Sequence, residues 1–107
     1  MTQEELFAAL KTLGLPVAYA EFIQPTAPPF ICYQFTYSGN SLMADNKNAI
    51  DVGNFDIELY TATKDLAMEK LVEDKLKELE LPYRKEETKI ESENLRQVIY
   101  EIQLTGG

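Results

Sequence analysis

Residues 96–104, RQVIYEIQL, place Val98, Tyr100, Ile102 and Leu104 at every second position, with Gln97, Ile99, Glu101 and Gln103 between them. A two-residue period marks a strand with one buried face, because successive side chains on a pleated backbone point to opposite sides. Such a strand cannot stand alone. It needs neighbours for its backbone groups and a cover for its apolar side.

Candidate neighbours are present. In FICYQFTY, 30–37, Ile31, Tyr33, Phe35 and Tyr37 share one face and are expected to point into the core, with Phe30, Cys32, Gln34 and Thr36 on the other. In IDVGNFDIELY, 50–60, Ile50 and Val52 have one parity while Phe55, Ile57 and Leu59 have the opposite one. A bulge near Gly53 would bring all five to one face, since an inserted residue reverses the alternation. YRKEETKI, 83–90, is weakly strand-like, and ESEN, 91–94, is the turn that joins it to RQVIYEIQL.

The cover comes from two helical patterns. Thr2 and Glu5 have the spacing of a capping box, Leu6, Phe7, Leu10 and Leu13 form a stripe, and Gly14 and Pro16 end the segment, which predicts a helix over 3–13. A second helix is expected over 64–80, capped by Thr63 or Asp65 and closed by Pro82, with Met68, Leu71, Val72, Leu76 and Leu79 on one face. Its other side, with Glu69, Lys70, Glu73, Asp74, Lys77 and Glu78, reads as a solvated face stitched by Lys70–Asp74 and Glu73–Lys77 pairs. The helix exits LKTLGLP, 10–16, and LKELELP, 76–82, agree at five of seven positions, which suggests a repeated helix-then-strand unit or simply a common way to leave a helix. The order α-β-β-α-β-β defines an α+β fold, an antiparallel four-stranded sheet with two helices packed on one face. The whole chain, 1–107, reads as one domain.

One sheet face is then left uncovered. It carries Phe30, Cys32, Tyr60 and Ile99 among Gln34, Gln97, Gln103, Asp56 and Glu58, a mixture that suits either an interface or an ordinary exposed sheet. Pro25, Pro28 and Pro29 stiffen the approach to its first strand. The polar segment 38–48, SGNSLMADNKN, is long for a hairpin connection, and its Leu42, Met43, Asp45, Asn46 and Lys47 are candidates to be ordered by a neighbour.

Several function classes fall away. The chain has no histidine, so histidine triads, most zinc sites and the usual neutral-pH proton shuttle are absent. Cys32, the sole cysteine, sits inside a predicted strand without an activating partner and cannot form an internal disulfide. No glycine-rich phosphate loop occurs. Asp56 and Glu58, at i,i+2 on one strand face, have the spacing of an acid/base pair or a hard-cation site, but an acidic chain carries such pairs as ordinary solvated surface. The expectation is a protein that is not an enzyme and holds no cofactor or metal. With 18 acidic against 10 basic residues and a net charge of −8, nucleic acid is a poor partner. No apolar run spans a bilayer, and MTQEELFAAL is acidic where a secretory signal is basic, so cytoplasmic synthesis and no membrane partner are expected.

Beyond these readings, LGLPVAY at 13–19, APPFICY at 27–33, ADNKN at 44–48, NFDIELYT at 54–61 and IESENLRQVIYEI at 90–102 resemble, in order, a family of small tail-completion proteins. These are encoded by phages and prophages of Gram-positive bacteria. The resemblance implies a structural subunit similar to tail terminators, which form a ring, commonly a hexamer, on the end of the tail tube. That ring stops polymerisation of the major tail protein and meets the head-tail connector protein. It implies a place in the virion, at the tail or the head-tail junction, and no catalytic residue. A head-side adaptor, or a small non-catalytic ligand-binding or regulatory module, is the alternative.

Overall fold

The computed structural model describes residues 1–39 and 52–105. Helix α1 (Gln3–Lys11) opens on the capping box: Thr2 Oγ1 accepts from Glu5 N at 3.1 Å while Glu5 Oε1 accepts from Thr2 N at 2.8 Å. Two orphan donors of the first turn are thereby satisfied. The helix stops two residues short of Leu13. Strand β1 (Val17–Tyr19) follows, then β2 (Phe30–Gly39), β3 (Val52–Thr61), α2 (Leu66–Glu78), β4 (Arg84–Ile90) and β5 (Leu95–Thr105). Asp65, not Thr63, caps α2, accepting from Met68 N at 3.1 Å.

The fold is α+β, but the sheet has five strands and is mixed, in the order β1-β2-β3-β5-β4. This corrects the four-stranded antiparallel expectation. The added strand, β1, pairs parallel to β2 through Val17↔Ile31, Ala18↔Cys32 and Tyr19↔Tyr33, and all other pairings are antiparallel. Three residues are too few for a period to show, so β1 is defined by its neighbour rather than by its own pattern.

Both helices cover the same face. Leu6 and Leu10 of α1 and Val72 and Leu76 of α2 pack on Ile31, Tyr33, Phe55, Ile57, Leu59, Val98, Tyr100, Ile102 and Leu104, all at most 6% exposed. Removing that apolar surface from water is the main stabilising term of such a domain, at roughly 25 cal/mol per Å².

The expected bulge at Gly53 is absent. β3 and β5 pair without interruption from Val52↔Thr105 to Thr61↔Arg96, so Val52 stays on the face opposite Phe55, buried yet outside the helix-side core. The irregularity lies across the ladder in β2, where Phe35 pairs with Phe55 but Tyr37 pairs with Asn54, leaving Thr36 as the extra residue. Thr36 Oγ1 donates to Asn54 O at 3.0 Å, which holds the bulge. Tyr37 therefore leaves the core-facing set, and it and Phe35 are 58% and 44% exposed. Ile50 lies outside the described residues.

The charged side of α2 is not uniformly solvated. Lys70 and Asp74 pair at 2.8 Å as expected, but Glu69 is 3% exposed and sits between Lys64 and Lys85, each 2.8 Å away. Glu73 turns to Lys85 at 2.8 Å and accepts from Tyr100 Oη at 2.8 Å, in place of the expected Lys77. These groups fasten the exposed edge strand β4 to α2. Burial pushes Glu69 and Glu73 up, but their lysine partners, with Tyr100 for Glu73, hold both below the usual carboxylate value.

The two similar helix exits have the same backbone. Gly14 (φ 83°) and Glu80 (φ 59°) stand at equivalent places in LKTLGLP and LKELELP, and their amides donate to Lys11 O and Lys77 O. A left-handed residue at this point ends a helix by capping its last carbonyls. The likeness goes no further, because the strand that follows pairs parallel in one case and antiparallel in the other.

Candidate functional site

Parallel neighbours such as β1 and β2 need a crossover connection, and the helices already occupy one face. The connecting residues 20–29 accordingly run over the other face as a strap. Ala20, with φ 64°, starts it, its amide donating to Tyr33 O at 2.7 Å. Phe22 packs edge-on against Phe30 at 5.4 Å, and Phe30 stacks on Tyr60 at 4.8 Å.

The ladder sets the rest of this face in rows: Phe30, Tyr60 and Gln97, then Cys32, Glu58 and Ile99, then Gln34, Asp56 and Glu101. Phe30, Cys32, Gln34, Tyr60 and Ile99 are thus brought together on the face without helices. Cys32 is buried and the other four are half-buried. Leu42, Met43, Asp45, Asn46 and Lys47 lie outside the described residues.

A hydrogen-bonded chain crosses these rows. Gln34 Nε2 donates to Glu58 Oε2 at 3.0 Å, Tyr60 Oη donates to Glu58 Oε1 at 2.9 Å, and Gln97 Nε2 donates to Tyr60 Oη at 2.8 Å. Further along, Gln103 Nε2 donates to Asn54 Oδ1 at 3.1 Å, and Asn54 Nδ2 donates to Tyr37 O at 3.2 Å. Polar side chains bonded this way fix the orientation of the groups on the helix-free face.

Glu58 is 6% exposed, and its hydrogen-bond donors are neutral. Burial raises its pKa, the Tyr60 and Gln34 bonds pull it back, and Asp56 adds to the rise. Asp56 is raised as well, by burial and then by Glu101, directly across the ladder, and Glu86. Burial, with Glu58 and Glu21, pushes the Cys32 thiol up to about 11, so it is protonated at neutral pH and a poor nucleophile. Among the described residues no three acidic or sulfur ligands stand close enough to hold a metal ion.

The strap makes a groove of this face. About 520 Å³ lies between Phe22, Ile23 and Pro25 on one side and Ile90, Glu93 and Leu95 on the other, with Phe30, Cys32 and Tyr60 at its base. Ile23 stands fully exposed beside it. Sequence reading missed the strap as a wall. The signal was Phe22 and Ile23 just ahead of the three prolines, too many apolar residues for a plain linker. A second exposed aromatic group, Tyr19, Phe35 and Tyr37, marks the outer edge of β2, where β1 has ended and Tyr19 Oη accepts from Phe35 N at 3.1 Å.

These features define a small α+β domain with a helix-covered face and a grooved, aromatic and acidic face. No family model matches the chain, and no curated protein matches it in sequence. Among solved structures it is similar to a chain in the virion of a native gene transfer agent particle, with a TM-score of 0.57 and 16% identity, covering 92% of this chain and 84% of that one. At that identity the likeness is one of fold. No helix among the described residues is long and apolar enough to cross a membrane.

Proposed function

We propose that the chain is a non-catalytic structural subunit of a phage-like particle, a tail terminator or completion subunit that assembles as a ring at the end of the tail tube. The observation that carries this is a sheet whose helix-free face presents Phe30, Tyr60 and Ile99 in a preordered polar frame. An exposed aromatic edge at Tyr19, Phe35 and Tyr37 adds to it. A ring subunit needs preformed surfaces of modest affinity, because symmetry multiplies weak contacts. The fold shared with a gene transfer agent virion chain and the sequence resemblance to tail-completion proteins point the same way. The partners in this reading are further copies of the chain, the major tail protein and the head-tail connector protein. The place of action is the virion, after synthesis in the bacterial cytoplasm. The high thiol pKa of Cys32 and the lack of histidine support a role without catalysis.

Polymerising the cognate major tail protein with and without this chain, and measuring tube lengths by electron microscopy, tests the proposal. Shorter or capped tubes at substoichiometric amounts are expected. Unchanged lengths would turn the reading toward the head-side adaptor.

A further inference from the structure

We infer that the groove under the strap is a receptor for a basic, extended segment of a different protein, one that lays a Lys or Arg side chain along Phe30 and Tyr60 with apolar residues on either side. The inference rests on the helix-free face being an assembly face, and names what the groove part of it receives, the rest of the face being left to copies of the chain.

The groove is open rather than enclosed, and its 520 Å³ is on the scale of ordinary ligand sites, roughly 300 to 1,000 Å³. Its walls, Phe22, Ile23, Ile90 and Leu95, are apolar. Among the described residues, the charged ones that line it are both carboxylates, Glu21 and Glu93. Beneath them Glu58 lies buried beside Cys32, bonded by neutral donors. Stacked aromatic rings with acidic groups around them suit a cation with an aliphatic stem, because the ring faces and the carboxylates attract the charge while the walls bury the methylenes.

A second copy of this chain is a poor source of that cation. Each copy carries −8, and five of its ten basic residues, Lys64, Lys70, Lys75, Arg84 and Lys85, are already paired with carboxylates of their own chain. Charge complementarity therefore favours a partner of opposite sign.

The test uses the full chain and an end-blocked five-residue peptide of alternating Lys and Val, titrated at low salt and followed by amide chemical shifts. Shifts centred on Phe22, Phe30, Tyr60 and Leu95 are expected. Shifts centred instead on the acidic side of α2 would overturn the proposal. The double variant Glu21→Gln/Glu93→Gln should weaken binding by about fivefold, the sum of two rim charge contacts. The charge-matched control Glu4→Gln/Glu80→Gln, away from the groove, should change it less than about twofold. Both pairs are exposed, so neither should disturb folding. Equal losses in the two variants would mean attraction to net charge alone and would overturn the inference. Sedimentation keeps the two readings apart: if Ile99→Lys, on the same face but outside the groove, abolishes assembly while the two double variants bind the peptide equally, the basic-segment inference fails and the assembly face stands.

Discussion

Replacing Tyr60 by Phe removes one oxygen and two hydrogen bonds, the one Tyr60 donates to Glu58 at 2.9 Å and the one it accepts from Gln97 at 2.8 Å. Gln97 is half-buried and can turn to water, so most of the loss falls on Glu58, left with Gln34 as its donor. A hydrogen bond to a charged group contributes about 1.5 to 3 kcal/mol, so the variant should lose about 2 kcal/mol at pH 7. That is a large part of a typical domain stability of about 5 to 15 kcal/mol. With a urea m-value near 2 kcal/mol per molar, the midpoint followed by circular dichroism should fall by about 1 M. The effect should depend on pH. Glu58 has a raised folded pKa, so its neutral form favours the fold below the ordinary carboxylate value, and that contribution is lost as pH rises through the raised value. Tyr60 eases the charged state, and the gap between wild type and Tyr60→Phe should therefore widen from about 1 kcal/mol at pH 4 to about 2 at pH 7. In a Glu58→Gln background the gap should stay near the lower figure at both pH values. A gap of the same size at pH 4 and pH 7 in the wild-type background would refute the reading of Glu58 as a buried charge held by Tyr60.

Lys85→Met strips Glu69 and Glu73 of a shared cation and should cost about 1 to 3 kcal/mol, less than a fully buried pair because Lys85 is a third exposed and Lys64 stays. Glu69 and Glu73 have lowered pKa values, so their contribution is present above the ordinary carboxylate value and lost as pH falls through the folded one; urea titrations at pH 7 and pH 3 should show the deficit shrinking in acid. Ile99→Lys, on the helix-free face but not lining the groove, should leave a folded monomer with no higher oligomers by sedimentation, and unchanged oligomers would remove that part of the face from self-assembly. Gly14→Ala meets nothing within 4 Å yet forces a side chain to φ 83°, so a thermal melt should show a loss of about 1 kcal/mol, while Glu80→Gly, at the matching helix exit, should gain about as much.

Local patterns were legible in the chain and relations between strands were not. The capping box of α1, the stop at Gly14 and the inward set Val98, Tyr100, Ile102 and Leu104 depend on residues a few positions apart, and they stand where their spacing puts them. The parity change between Val52 and Phe55 was a true signal attached to the wrong cause. It reflects a strand buried on both faces, with Val52, Asn54 and Glu58 on one and Phe55, Ile57 and Leu59 on the other, and the extra residue belongs to the neighbouring strand. β4 reads weakly because it is an exposed edge, where charges are favoured over alternation. Glu69 looked like one more solvated charge on α2, since nothing near it in sequence shows that Lys85, 16 residues on, would reach back over it. On the candidate surface, Phe30, Cys32, Gln34, Tyr60 and Ile99 follow from parity alone, whereas the groove depends on how a crossover passes over them.

That crossover separates two tasks that most domains carry on the same residues. The apolar core that joins α1, α2 and the three central strands includes no residue of 20–29, and the strap meets the scaffold on the other face, through Phe22 on Phe30. The strap can therefore change length or composition, and with it the depth and chemistry of the groove, at little cost to the scaffold. Changes confined to those few residues would reshape the groove and leave the helix-covered core as it is.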